Sequence, residues 1–180
     1  MSSMFDGSSA IEIKGLEGFN TSKVTNMGSM FDGSQATKLN LSNFDTSNVT
    51  NMHTMFQSSM ATELDLSSFD TSKVMETEYM FWNSRVVIGY ARTQADADKF
   101  NTSSEKPERL NFIVKSTPTI TINPYPTDWT NKDITVTAST DKGILNELSY
   151  TFTRNSSFTF KVAGEGIIPT EKTIVIDNID

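Results

Sequence analysis

The stretch Phe44-Asp-Thr-Ser-Asn-Val-Thr-Asn-Met52 occurs twice more in related form, as Phe19-Asn-Thr-Ser-Lys-Val-Thr-Asn-Met27 and as Phe69-Asp-Thr-Ser-Lys-Val-Met75. The dipeptide Met-Phe accompanies it at residues 4–5, 30–31, 55–56 and 80–81, with steps of 26, 25 and 25 residues. A fixed period of about 20 to 50 residues is typical of stacked supersecondary units. The sequence therefore predicts a repeat architecture, and we expect function on a repeated surface.

Each repeat has the pattern of a short strand followed by a short helix. Val49, Met52 and Phe56 follow one another at i, i+3 and i+7, the spacing of one apolar helical face, and Asp45-Thr-Ser47 offers side-chain oxygens that cap a helix start. Before each such segment, apolar and polar residues alternate as in a half-buried strand. These stretches are Lys38-Leu-Asn-Leu41 and Glu63-Leu-Asp-Leu66.

Together these residues resemble a known family. The string Asn-Phe-Asp-Thr-Ser-Asn-Val-Thr-Asn-Met, preceded by Leu-x-Leu and followed three residues later by Met-Phe, is similar to the BspA-like leucine-rich repeats of bacterial surface proteins. The resemblance covers roughly residues 1 to 90, and residues 89–115 resemble the stretch that closes such arrays. It implies an α/β leucine-rich-repeat solenoid over residues 1–115, with a C-terminal cap at about 90–115. The family often has a Cys after Met-Phe, where this chain has Ser34, Ser59 and Ser84 nearby and no Cys at all.

Beyond Lys115 the 25-residue period gives way to strict alternation. Five stretches separated by turn signals have the pattern of strands; they are residues 120–122, 134–138, 148–152, 158–162 and 173–176. The phrases at 128–137 and 172–180 resemble bacterial Ig-like modules. We expect a small all-β Ig-like sandwich over residues 116–180, with Trp129 as its core anchor.

Composition excludes several functional classes. The net charge is −7, which argues against nucleic acid as a partner because phosphate binding depends on clustered Lys and Arg. No apolar run approaches the ~20 residues of a membrane helix. Met1–Phe5 aligns with Met27–Phe31, which favours a fragment of a longer array, although a short natural start is the alternative.

Catalytic and metal-binding chemistry finds little support in the sequence. His53 is the single histidine, and no partner for a triad or zinc site accompanies it, so we expect a surface residue. Asn20, Asp45 and Asp70 recur one repeat apart and could hold a cation between repeats, but capping of their own helices or corners is the favoured interpretation. The sequence predicts no catalytic residue, no metal and no cofactor.

A candidate binding surface remains on the predicted sheet. In a Leu-x-Leu strand the leucines point inward and the intervening residues point outward. The outward residues that we expect to contact a partner are Glu12, Lys14, Lys38, Asn40, Glu63 and Asp65. The alternative is that these solvent-facing positions vary freely from repeat to repeat without any binding role.

The sequence thus indicates a non-enzymatic, extracellular protein of a bacterial cell surface, with the location implied by the family resemblance. Adhesion or binding to a host or neighbouring-cell protein or glycan is the favoured function, through a monomer that forms part of a longer chain without membrane insertion in this segment. The alternative is a passive stalk that holds a distant domain away from the cell wall. An enzyme would need a cleft with paired carboxylates or a nucleophile and base, and the sequence shows no such arrangement.

Overall fold

The computed structural model describes residues 1–180 and divides into two compact domains, Met1–Val114 and Lys115–Asp180. The N-terminal domain contains the parallel strands β1 (Glu63–Leu66), β2 (Ile88–Ala91) and β3 (Asn111–Val114) and the helix α1 (Gln94–Asn101). The strands of the C-terminal domain are β4 (Ile120–Ile122), β5 (Ile134–Thr140), β6 (Ile144–Leu145), β7 (Ser149–Phe152), β8 (Ser156–Ala163) and β9 (Thr170–Ile176). They form two antiparallel three-stranded sheets, in the orders β4-β5-β7 and β6-β8-β9.

The predicted fold class, an α/β leucine-rich-repeat solenoid followed by a small all-β Ig-like sandwich, is wrong. The structure is mostly β, with α1 as its one α-helix and with three small three-stranded sheets. The predicted helix over Val49–Phe56 is a series of turns, and Lys38–Leu41 forms an isolated bridge between Lys38 and Glu12 in place of a strand.

The turns replace helices because the backbone amides of one repeat donate to the next repeat. The amides of Ser29 and Phe31 donate to the carbonyls of His53 and Met55, both at 2.9 Å. An α-helical amide instead donates four residues back along its own chain. The spacing of 3 and 4 between apolar residues therefore reflects their position within the repeat rather than a helical turn.

Left-handed backbone conformations also prevent a continuous helix in each repeat. Ser29, Thr54 and Tyr79 occupy the same position in three successive repeats and have φ of 56°, 53° and 55°. An L-residue in this conformation costs roughly 1–2 kcal/mol and cannot continue a right-handed helix. Each segment therefore bends at this residue.

Stacked phenylalanine rings form the core of the N-terminal domain. The rings of Phe5, Phe31, Phe56 and Phe81 follow one another with centroid separations of 5.4, 5.6 and 6.0 Å and nearly parallel planes. Phe31, Phe56 and Phe81 are fully buried. The 25-residue period thus aligns equivalent aromatic rings, and each repeat buries its ring against its neighbours.

The last repeat is closed by α1 and β3. The helix α1 lies within the predicted C-terminal cap, and Thr93 accepts a hydrogen bond from the Asp96 amide at the start of this helix. The Asp96 carboxylate accepts from the amide and the hydroxyl of Thr71 at 2.9 and 2.6 Å. In the preceding repeat, the hydroxyl of Thr46 donates to the main-chain carbonyl of Asp70. Asp96 therefore provides by its side chain the acceptor that another repeat would provide by its backbone.

The C-terminal domain contains strands in all five predicted stretches and one more, β6, which is too short to leave an alternating pattern. Trp129 is 70% exposed, so its expected role as core anchor is wrong. It lies in a loop outside the strands, and the core is formed by inward-facing strand residues such as Val136, Phe152 and Phe160.

The phenylalanine stack leads to a prediction for Phe56→Ala. The Phe56 ring contacts rings on both sides, so its removal leaves a cavity and should reduce the free energy of unfolding by ~3 to 5 kcal/mol. Urea denaturation measures this change. Trp82→Ala, which removes an aromatic ring that is 46% exposed, is the control and should change stability far less. Equal effects of the two substitutions would contradict a core that depends on the stack.

Asp96 leads to a prediction of pH dependence. Burial by itself raises the pKa of Asp96, but hydrogen bonds from Thr71 and Thr93 and the contact with Arg92 outweigh it and lower the pKa from 3.8 to about 2. Because the folded-state pKa is depressed, the stabilisation is present above pH ~4 and is lost as the pH falls towards 2, amounting to about 2 kcal/mol. Urea denaturation between pH 2 and 6 should show this loss in the parent and a smaller loss in Asp96→Asn. Asp98 is exposed on the same helix, so Asp98→Asn should keep the parent's dependence of the free energy of unfolding on pH. An Asp96→Asn profile that also matches the parent would contradict the assignment of this stabilisation to Asp96.

The domain boundary leads to a third prediction. Residues 1–115 contain the complete phenylalanine stack and its closure by α1 and β3, so we expect them to fold without the remaining residues. Circular dichroism and thermal melting of this truncation should show a cooperative transition. A truncated chain with neither the native circular dichroism nor a cooperative melting transition would show that the two domains depend on each other.

Candidate binding face

Three of the six predicted contact residues line one groove. This charged groove is formed by Thr37, Lys38, Leu39, Thr62, Glu63 and Asp65, with a volume of about 370 Å³. It places a lysine beside two carboxylates on neighbouring repeats.

The alternation of β1 positions the acidic side of the charged groove. Leu64 and Leu66 are almost fully buried, whereas Glu63 is exposed and Asp65 is half-buried. Successive side chains of a strand point to opposite faces, so the two leucines hold the two carboxylates on the outer face. Lys38 stands at the equivalent position of the preceding repeat, where the bridge to Glu12 fixes its backbone.

The other three predicted residues lie outside the lining of the charged groove. Glu12 and Lys14 form an ion pair of 3.5 Å in which both side chains are largely exposed, and such a pair contributes little to stability. The Oδ1 of Asn40 accepts hydrogen bonds from the amide and the hydroxyl of Ser42. Asn40 therefore fixes the turn that follows it.

Asp65 has two roles. Its Oδ1 accepts from the amide and the hydroxyl of Ser67 at 3.1 and 2.6 Å, as Asn40 does in the preceding repeat. It also lines the charged groove. A substitution at this position consequently tests both a turn and a surface.

Sequence reasoning missed Thr37, Leu39 and Thr62, which complete the lining. A signal was available, because an Ala-Thr pair stands directly before Lys38-Leu39 and again before Glu63-Leu64. The outward threonines recur with the same 25-residue period as the core residues.

The column of Asn20, Asp45 and Asp70 stabilises turns. The Oδ1 atoms of these residues accept from the amides of the serines two positions later, at 3.2, 3.0 and 2.9 Å. The hydrogen bonds from the following serines also lower the pKa values of Asp45 and Asp70. The capping interpretation therefore accounts for the column, although the capped segments are turns and not helices.

His53 is exposed, as the sequence indicated. Its ring meets the ring of Tyr79 edge-on, with centroids 6.1 Å apart. The structure contains no group of three or more His, Asp or Glu side chains that could hold a metal ion.

Comparison with known proteins identifies the repeat segment. Residues 1–117 match the family described as "Mycoplasma protein of unknown function, DUF285". The chain belongs to this family. DUF285 is a family of bacterial surface repeat proteins related to the BspA-like group. The DUF285 match covers the phenylalanine stack, the charged groove and the closing elements α1 and β3.

Beyond the DUF285 match, neither a search of curated proteins nor a search of solved structures found a similar protein. In addition, none of the helices has the length and apolar character needed to cross a membrane.

Proposed function

We propose that this chain is a non-enzymatic binding module of an extracellular bacterial surface protein and that it binds a partner through the charged groove. The observation that carries the proposal is that Lys38, Glu63 and Asp65, from neighbouring repeats, line the same groove. Membership of the DUF285 family supports the surface location. We further propose that the module acts as a monomer within a longer chain and does not enter the membrane.

The composition of the charged groove favours a polar protein surface as the partner. A carboxylate of the partner would face Lys38, while basic or amide donors would face Glu63 and Asp65. Complementary charges of this kind determine specificity and association rate more than affinity. The groove is also small, since stable interfaces use about 20 to 30 residues on each side, so the affinity of this segment should be low.

A passive stalk is the second candidate, and one observation favours it. Asn40 and Asp65 each stabilise the turn that follows them, so the presence of polar residues at these positions needs no partner to explain it. In a stalk, the repeats would serve only as a rigid spacer.

A triple substitution distinguishes the two candidates. Lys38, Glu63 and Asp65 are replaced together by Ser, and binding to a panel of purified extracellular matrix proteins is measured by biolayer interferometry at low and physiological salt. A binding module should lose its signal in the variant, and the parent's signal should weaken with salt because exposed charges are screened. The melting temperature should fall modestly, since the exposed charges of Lys38 and Glu63 contribute ~0 to 1 kcal/mol each. Loss of the turn hydrogen bonds of Asp65 adds about 1 kcal/mol.

The matched control replaces Lys23, Glu17 and Glu108 by Ser. These residues carry the same charges and are exposed in the same domain outside the charged groove. The control variant should bind like the parent. Binding that survives the first triple substitution would place the site elsewhere, and a parent that binds no member of the panel would favour the stalk.

A further inference from the structure

A second groove crosses all four repeats and shares no residue with the charged groove. This polar groove has a volume of about 380 Å³, and Ser3, Asn26, Gly28, Asn51, His53 and Glu76 are among its lining residues. Its lining consists of amides, hydroxyls, one imidazole and one carboxylate. Its chemistry therefore differs from the lysine and paired carboxylates of the charged groove.

The polar groove is built on one column of the repeats. Asn26, Asn51 and Glu76 pair in parallel through isolated backbone bridges, so their side chains follow one another at about 5 Å, the spacing of paired strands. The Oδ1 of Asn26 accepts from the Gly28 amide at 2.8 Å, and the Oδ1 of Asn51 accepts from the His53 amide at 3.0 Å. These bonds fix each amide and leave its NH₂ group as the donor for other partners. The Asn51 NH₂ group also donates to the Glu76 carboxylate.

Gly28 opens the floor of the polar groove. A Cβ atom at Gly28 would lie 2.9 Å from the Oδ1 of Asn51 and 3.2 Å from the Oδ1 of Asn26. The next two repeats have His53 and Glu78 at this position. The absence of a side chain at Gly28 therefore creates the hollow between the two amides.

The ring of Tyr79 packs against His53, which is one of the residues that line the polar groove. Tyr79 contacts His53 edge-on, is 44% exposed and has φ of 55°. The equivalent residues Ser3, Ser29 and Thr54 are small, whereas a bulky residue in this conformation costs of order 1 kcal/mol or more. Because Ser3, Ser29 and Thr54 share this φ, the repeat imposes the conformation at this position. The exposed ring of Tyr79 adds little to the core and is accessible to a ligand.

We propose that the polar groove binds a neutral oligosaccharide. Sugar hydroxyls both donate and accept, so they can donate to Glu76 and accept from the NH₂ groups of Asn26 and Asn51. The apolar C–H face of a sugar can pack against the ring of Tyr79, which combines an apolar body with a polar tip.

Other ligand classes fit the polar groove less well. An anionic ligand would meet Glu76 and a chain of net charge −7. A peptide ligand is usually held by large side chains in desolvated pockets, and the lining of this groove is predominantly polar.

The test uses the full chain on a printed array of neutral oligosaccharides. Sulfated oligosaccharides and basic peptides on the same array represent the anionic and peptide classes, and the strongest neutral probe is then titrated by calorimetry. We expect saturable binding of neutral probes. Absence of neutral binding above background, or preference for sulfated probes or peptides, would overturn the proposal.

Two variants locate the site. Tyr79→Ser removes the ring and restores the small residue type found at this position in earlier repeats, so affinity should fall at least tenfold while the melting temperature stays equal or rises. Gly28→Ala places a methyl group in the hollow and should also weaken binding. Parent-like affinity in both variants would contradict the assignment to this groove.

The matched control is the triple substitution of Lys38, Glu63 and Asp65 by Ser. It should leave oligosaccharide affinity unchanged, because the charged groove shares no residue with the polar groove. A tenfold loss in this control would overturn the assignment to the polar groove. The outcome at each groove is therefore read independently of the other.

Discussion

The N-terminal domain depends on backbone hydrogen bonds between consecutive repeats. Amides at Met27, Ser29, Phe31 and Gly33 donate 24 residues ahead, with donor–acceptor distances of 2.8 to 2.9 Å. Buried backbone groups need partners, and here the partner of one repeat is the next repeat. The hydrogen bonds bring equivalent residues of neighbouring repeats together, and this alignment also produces the stacked phenylalanine rings.

A stack bonded in this way needs an end, and side chains provide one beyond the fourth repeat. Lys99 donates to the carbonyls of Thr71 and Val74, both at 2.8 Å, while Asp96 accepts from the amide of Thr71. Charged groups make stronger hydrogen bonds than neutral ones. They satisfy backbone groups that would otherwise face a missing repeat, and the low pKa of Asp96 is a consequence of this role.

The same alignment explains why both candidate binding surfaces are grooves that run across repeats. A position that is outward in one repeat is outward in the next, so a single substitution changes a surface while the core is preserved. Lys38 and Glu63 differ in charge at one such position, and Gly28 and His53 differ in size at another. Variation of this kind can create distinct sites on a constant framework.

The sequence by itself determined the 25-residue period and the buried Met-Phe pairs at 30–31, 55–56 and 80–81, because their recurrence depends only on residue order. It also identified Lys38, Glu63 and Asp65 as outward residues from the two-residue period of a strand. It could not determine the conformation of Val49–Phe56, since apolar spacing of 3 and 4 fits a helix as well as a turn. The tertiary structure decided that question, because the amides of this segment bond to the neighbouring repeat. For the same reason the sequence missed the polar groove, whose lining residues Asn26, Asn51 and Glu76 become neighbours only when the repeats stack.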